Sequence, residues 1–129
     1  MKPLRPTSNT PTDDGFAYHA TNEERACDIV KGGLKTHGPS YGTDQSAWPD
    51  GSREKRSYHA KRAGVVASFA PEEGAPVILR TPLGAHPFQA ESSTGDLYTK
   101  KTIPATKLEI GLDDNTWAPL SAWGERSCR

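Results

Sequence analysis

The 129-residue chain lacks most of the features that assign a protein at sight. It has no surplus of charge: 16 Lys and Arg stand against 16 Asp and Glu, so nothing global selects a nucleic acid or an anionic membrane surface. Any such contact has to be local. No stretch approaches the roughly 18 consecutive apolar residues of a membrane span, and no apolar segment follows the N-terminus, which leads to the expectation of a soluble, unexported, cytoplasmic protein that does not engage membranes. Apolar residues are only 33% of the chain, whereas there are 12 Gly and 11 Pro, so short strands and ordered loops in one domain are favoured over a helical bundle. There are two cysteines, Cys27 and Cys128, far apart in sequence; free thiols in a reducing compartment are expected, the alternative being a disulfide for which nothing in the spacing argues.

Several chemistries are also missing. His19, His37, His59 and His86 are scattered, with no pair four apart on one helix and no Cys-x-x-Cys, so no metal is expected. There is no Gly-x-Ser-x-Gly of a nucleophile elbow and no Gly-rich phosphate loop of the usual kinds.

Along the chain, residues 1–14 hold three prolines and many polar side chains with little apolar except Leu4, and are expected to form a flexible tail. A first strand is predicted over 16–20 and a helix over 22–31, with Thr21 and Glu24 in the capping-box pattern at its start and Gly32-Gly33 as its stop. Ala26, Ile29 and Val30 give that helix an apolar face, Glu23, Glu24 and Lys31 match its dipole, and Leu34 anchors its exit. Residues 35–56 show no periodicity and read as a long ordered loop, with Trp48 plugging it into the core.

A second helix is predicted from a cap at Ser57 to Ala70, with a small-residue face of Ala60, Ala63, Val66, Ala67 and Ala70. Pro76-Val77-Ile78-Leu79-Arg80-Thr81 is the clearest strand and reads as buried. Leu97-Tyr98-Thr99 follows a polar stretch, and the alternation over 107–112 marks a further half-exposed strand. Trp117 to Leu120 close the fold, and residues 124–129 are expected to fray. The domain therefore spans 15–123. A basic cluster at Arg53, Lys55, Arg56, Lys61 and Arg62 is the local exception to the neutral balance, able to hold a phosphate or a nucleic-acid backbone.

The Tyr18-His19-Ala20-Thr21 stretch places an imidazole, a hydroxyl and the unpaired N–H groups of a helix start at one strand-to-helix junction, which suits a polar ligand. With Tyr58 ahead of an alanine-rich segment and Gly95-Asp96-Leu97-Tyr98-Thr99 ahead of Ile103-Pro104, the order resembles the ADP-ribosyltransferases, specifically the His-Tyr-Glu branch of the diphtheria-toxin-like and poly-ADP-ribose-polymerase-like enzymes. The resemblance implies an α+β fold with a split, two-sheet antiparallel core and flanking helices. It also implies NAD as the substrate, transferred as ADP-ribose to a macromolecular acceptor, protein or nucleic acid, by a monomer needing no metal.

By the same resemblance His19 holds the adenosine-side ribose, Ala20 and Thr21 with neighbouring Tyr18 grip the nicotinamide amide, and Tyr58 stacks on the nicotinamide. Asp96 stands where many relatives have Glu, as in the similarly small rifampin ADP-ribosyltransferases, and Glu91 is the alternative carboxylate. Arg53 and Arg56 are the expected phosphate or target contacts. The setting implied is an effector, toxin or phage protein inside a bacterial cell. Two other readings of the same fold are an inactive module that binds NAD, ADP-ribose or a protein, and an enzyme like the tRNA 2′-phosphotransferases.

Overall fold

The computed structural model describes residues 1–41 and 43–128. Its framework is a four-stranded antiparallel sheet in the order β1 (Phe16–Asn22), β3 (Pro76–Pro82), β6 (Glu109–Gly111), β7 (Trp117–Pro119), linked through a Tyr18–Ala60 bridge to a three-stranded antiparallel sheet in the order β2 (Ser57–His59), β5 (Leu97–Thr99), β4 (Gln89–Ala90). The architecture is α+β with two antiparallel sheets and few helices: α1 (Glu23–Gly32), the single-turn α2 (Ala63–Val66) and α3 (Leu120–Ser127).

Strand β3 organises the core because its Val-Ile-Leu run is buried on both faces. Val77 and Leu79 pack with Ala26, Ile29, Leu34, Ile103, Leu108, Ile110, Leu120 and Trp123, while Ile78 points the other way into a smaller cluster with Tyr18, Ala20, Ala60, Ala63 and Val66. Alternation along a strand puts neighbouring side chains on opposite faces, so one apolar run serves two cores. Glycine allows the closest approaches: a Cβ at Gly124 of α3 would lie 2.7 Å from Val30 Cγ2 of α1.

Helix α1 begins and ends as its sequence suggests, with one shift. The cap is Asn22, whose Oδ1 accepts from the Arg25 N–H at 2.8 Å; Thr21 belongs to β1 and is buried. The Asn22 amide also donates to the Glu73 carbonyl at 2.9 Å, a contact Thr21 could not supply from its place in the strand. Gly33, at φ 82°, closes the helix by donating to Ile29, and Leu34 then bridges Ile103.

Four expectations are corrected. Tyr58 lies on a strand, not in a helix: Ser57–His59 pair with Leu97–Thr99, and Ala60 bridges Tyr18 through bonds of 2.8 and 3.0 Å. Pairing with two neighbours overrides the helical spacing of the alanines, leaving only Ala63–Val66 and a 3₁₀ turn at Ala67–Phe69 as helix. Residues 1–14, read as a free tail, lie along the domain: Leu4 donates to the Gly111 carbonyl at 2.8 Å, the Thr12 hydroxyl accepts from the Ala63 N–H, and the Asp13 carboxylate meets the Arg80 guanidinium at 2.7 Å. Arg80 is itself held between the rings of Phe16 and Trp117. The C-terminal segment is helical to Ser127; Arg129 falls outside the described residues. Finally, Cys27 and Cys128 are not free thiols but form a disulfide joining α1 to the end of α3.

Candidate functional site

His19 is half-buried at the middle of β1, with Tyr18 beside it bridging to Ala60 just after β2. Its Nδ1–H donates to the Tyr58 carbonyl at 3.0 Å. A carbonyl can only accept, so this bond fixes the proton on Nδ1 and leaves Nε2 of the neutral ring as an acceptor. Burial lowers the His19 pKa below its ordinary value, against the raising effect of the Tyr58 carbonyl, and His37 and Arg25 push it further down. The ring lies 5.0 Å from that of His59. His59 is buried, its Nε2 paired with the Ser57 hydroxyl at 2.9 Å, and desolvation holds its pKa well below the usual range.

On the other face of β2, Tyr58 and Arg56 form a buried polar cluster. The Arg56 guanidinium donates to the Tyr58 hydroxyl at 2.9 Å, to Asp50 at 2.8 Å, to Glu54 at 3.1 Å and to Glu91 at 3.4 Å, and covers the Tyr98 ring. Desolvation pulls the Arg56 pKa down, but the hydrogen bonds to Asp50, Tyr58 and Glu54 outweigh it and the guanidinium is held more firmly protonated than usual. Desolvation raises the Tyr58 pKa, so the phenol stays neutral. Its ring is 4.9 Å from Trp48, which the 35–56 loop carries across the site. That loop is ordered at its base by paired 2.9 Å bonds between His37 and Arg56, and at its tip by the Trp48 indole donating to the Glu54 carbonyl.

Asp96 ends the turn between β4 and β5, where the Glu91 N–H donates to its carbonyl at 2.7 Å and Gly95 at φ 77° completes the reversal. His19, Ala20, Thr21, Tyr58 and Asp96 all line one cavity of about 970 Å³, bounded by α1, β1, β2 and the 35–56 loop. That is at the upper end of the range for small-molecule sites. No known protein family, curated protein or solved structure matches this chain.

The structure thus gathers His19, Ala20, Thr21, Tyr58 and Asp96 around one space and excludes others. Tyr18 is fully buried on the opposite face, its hydroxyl bonded to the Asp13 backbone and its ring against Trp117. Glu91 lies in the wall behind Tyr58, where it accepts from Arg56, Tyr58 and Ser93, and does not line the cavity. Arg53 is exposed away from it. Arg56 reaches the cavity with both Nη groups already engaged by Asp50, Glu54, Glu91 and the Tyr58 hydroxyl, while its buried Nε has no hydrogen-bond partner among the described residues.

Trp48, Ser57 and His59, given no site role from sequence, also contribute. Trp48 is a wall of the cavity as well as a loop anchor, and Ser57 and His59 line it beside Tyr58. The odd-even alternation through Arg56-Ser57-Tyr58-His59 was the available signal, visible only once the segment is read as a strand. Among the described residues no group of three or more His, Cys, Asp or Glu could hold a metal ion.

Proposed function

We propose that this protein is an NAD-dependent mono-ADP-ribosyltransferase acting on a macromolecule. The observation that carries the reading is the convergence of His19, Tyr58 and Asp96 from distant parts of the chain on one cavity large enough for a dinucleotide. NAD supplies a nicotinamide–ribose bond that weakens as positive charge develops on the ribose. The residues needed are a grip, an aromatic platform and one carboxylate, the roles this reading gives to His19, Tyr58 and Asp96.

His19 is neutral, with Nε2 free to accept a ribose hydroxyl, and its orientation is set by the bond to the Tyr58 carbonyl. Ala20 and Thr21 line the same cavity. The Tyr58 ring, flanked by Trp48 and Tyr98, offers a rigid surface for a planar group. Asp96 supplies negative charge where positive charge develops, the electrostatic contribution such a transfer needs most. Glu91 keeps Arg56 and Tyr58 in place and touches no reacting group. A binding module without catalysis is the second reading, favoured by the shorter reach of Asp96 compared with Glu.

Nicotinamide release and transfer of labelled ADP-ribose to lysate, measured for wild type, His19→Ala and Asp96→Asn, decide between them. Loss of release in Asp96→Asn with NAD affinity retained is the expected result, with a fall of about a hundredfold or more for removing one charge-stabilising group. NAD binding without release by the wild type would leave only the binding module. Unchanged NAD affinity in His19→Ala would overturn the site.

A further inference from the structure

The mouth of the cavity carries a second feature that the proposed transfer does not use. Arg25 and Lys31 of α1 and Lys35 just after it line the cavity on one side, and all three are exposed. Lys55 is exposed beside the base of the 35–56 loop. None of the four forms an ion pair among the described residues, although the chain as a whole has equal numbers of acids and bases. Asp28 is the one carboxylate on that wall, with Asp96 across the cavity, and neither is paired with a base. Burial lowers the His37 pKa, and Arg25, Lys55 and Lys35 lower it further, which places these cations around one imidazole.

That imidazole is stacked face to face on Tyr41, with centroids 3.7 Å apart and planes within 7°, and the Arg25 guanidinium lies 5.8 Å from the Tyr41 ring. Tyr41 nonetheless leaves 53% of its surface exposed. The exposed ring therefore presents a flat face beside cations that have no carboxylate partner among the described residues. Unpaired cations interleaved with an exposed, rigidly backed aromatic ring are what a flexible phosphodiester strand requires: charge for the backbone and a flat face for a base. A duplex keeps its bases stacked internally and cannot use the ring.

We infer that the cavity mouth binds a single-stranded nucleic acid, with phosphates on Arg25, Lys31, Lys35 and Lys55 and a base on Tyr41. This names the acceptor class for the proposed transferase and rests on that reading for its purpose, though not for the binding itself. The Arg53 and Arg56 contacts expected from sequence are replaced by cations of α1 and its exit, because Arg56 is buried in ion pairs.

The test is fluorescence anisotropy of the full chain with labelled oligo(dT) and oligo(rU), and with a duplex of the same length, over a range of salt, without NAD. Saturable binding to the single strands is expected, with a log–log salt slope of about −2 to −3 for three to four phosphate contacts. Lys35→Glu should flatten that slope by about 0.7, and Tyr41→Ala should weaken binding at least about fivefold while Tyr41→Phe restores it. Because both side chains are exposed, a matching thermal melt shows that the variants remain folded. Absence of saturable binding at low salt, indifference to Tyr41→Ala, or tighter duplex binding overturns the inference. So does displacement of the strand by NAD alone, which would give these cations to the dinucleotide. NAD binding measured separately keeps the two ideas apart: NAD without strand sinks this inference only, and strand without NAD sinks the transferase reading only.

Discussion

The Cys27–Cys128 disulfide gives the most quantitative prediction. It links residues 101 apart in sequence, so in the unfolded chain it closes a loop that takes in most of the protein. Loop-closure entropy for that length amounts to about 4.7 kcal/mol at 25 °C. Set against the roughly 5–15 kcal/mol total of a typical domain, this is a large share. Helix α3 is also held by buried Leu120 and Trp123, so the reduced protein should still fold, but with a melting temperature roughly 15–20 °C lower for a chain of this size. Thermal melts of wild type with and without a phosphine reductant measure this directly. The Cys27→Ser/Cys128→Ser double variant should melt like the reduced wild type and ignore the reductant. Two alkylatable thiols in protein unfolded without reductant would refute the pairing, and a shift below about 5 °C would refute the entropic argument.

Other outcomes follow from the buried polar groups. His19, His59 and His86 all have pKa values lowered chiefly by desolvation, so the unfolded chain binds protons at a pH where the folded chain does not. Their contribution is complete above the unfolded value of 6.5 and is lost as pH falls below it, by up to about 1.4 kcal/mol per pH unit for each histidine. Urea denaturation at pH 7.5 and 5.5 should show the loss, reduced by about one proton in His59→Gln; equal stability at the two pH values would contradict it. Arg56 and Glu91 have side chains only 2% and 1% exposed, so Glu91→Ala should cost about 1.5–3 kcal/mol by removing one charged hydrogen-bond partner, with Asp50 and Glu54 still neutralising the guanidinium. The same variant should retain some nicotinamide release when assayed below its melting temperature, whereas Asp96→Asn should melt like wild type and lose release. The opposite pattern would make Glu91 the reacting carboxylate.

The local signals were legible where one segment settles its own structure. The β1–α1 junction, the dipole-matched charges, the Gly33 stop, the Leu34 anchor and the double-sided β3 run all follow from spacing and composition. The capping position moved by one residue, since Asn22 can bond both the Arg25 N–H and the Glu73 carbonyl while Thr21 stays in the sheet. Composition favoured short strands and loops over a helical bundle, and the α+β class with two antiparallel sheets was expected from the ADP-ribosyltransferase resemblance.

What only tertiary structure decided concerns partners far away in the chain. Ser57 to Ala60 have a helical pattern, but β1 and β5 offered hydrogen bonds on both edges and made them a strand. Residues 1–14 lack the apolar surface to order themselves, yet Arg80, Gly111 and Ala63 provide fixed bonding partners for them. The cysteines pair because Gly124 lets α3 close on α1, which spacing along the chain cannot reveal. At the site, the sequence by itself marked His19, Tyr58 and Asp96. Their sharing of one cavity, the retreat of Glu91 behind Tyr58 and the exposure of Tyr41 among unpaired cations depend on which face of each strand meets the interior, and packing alone fixes that.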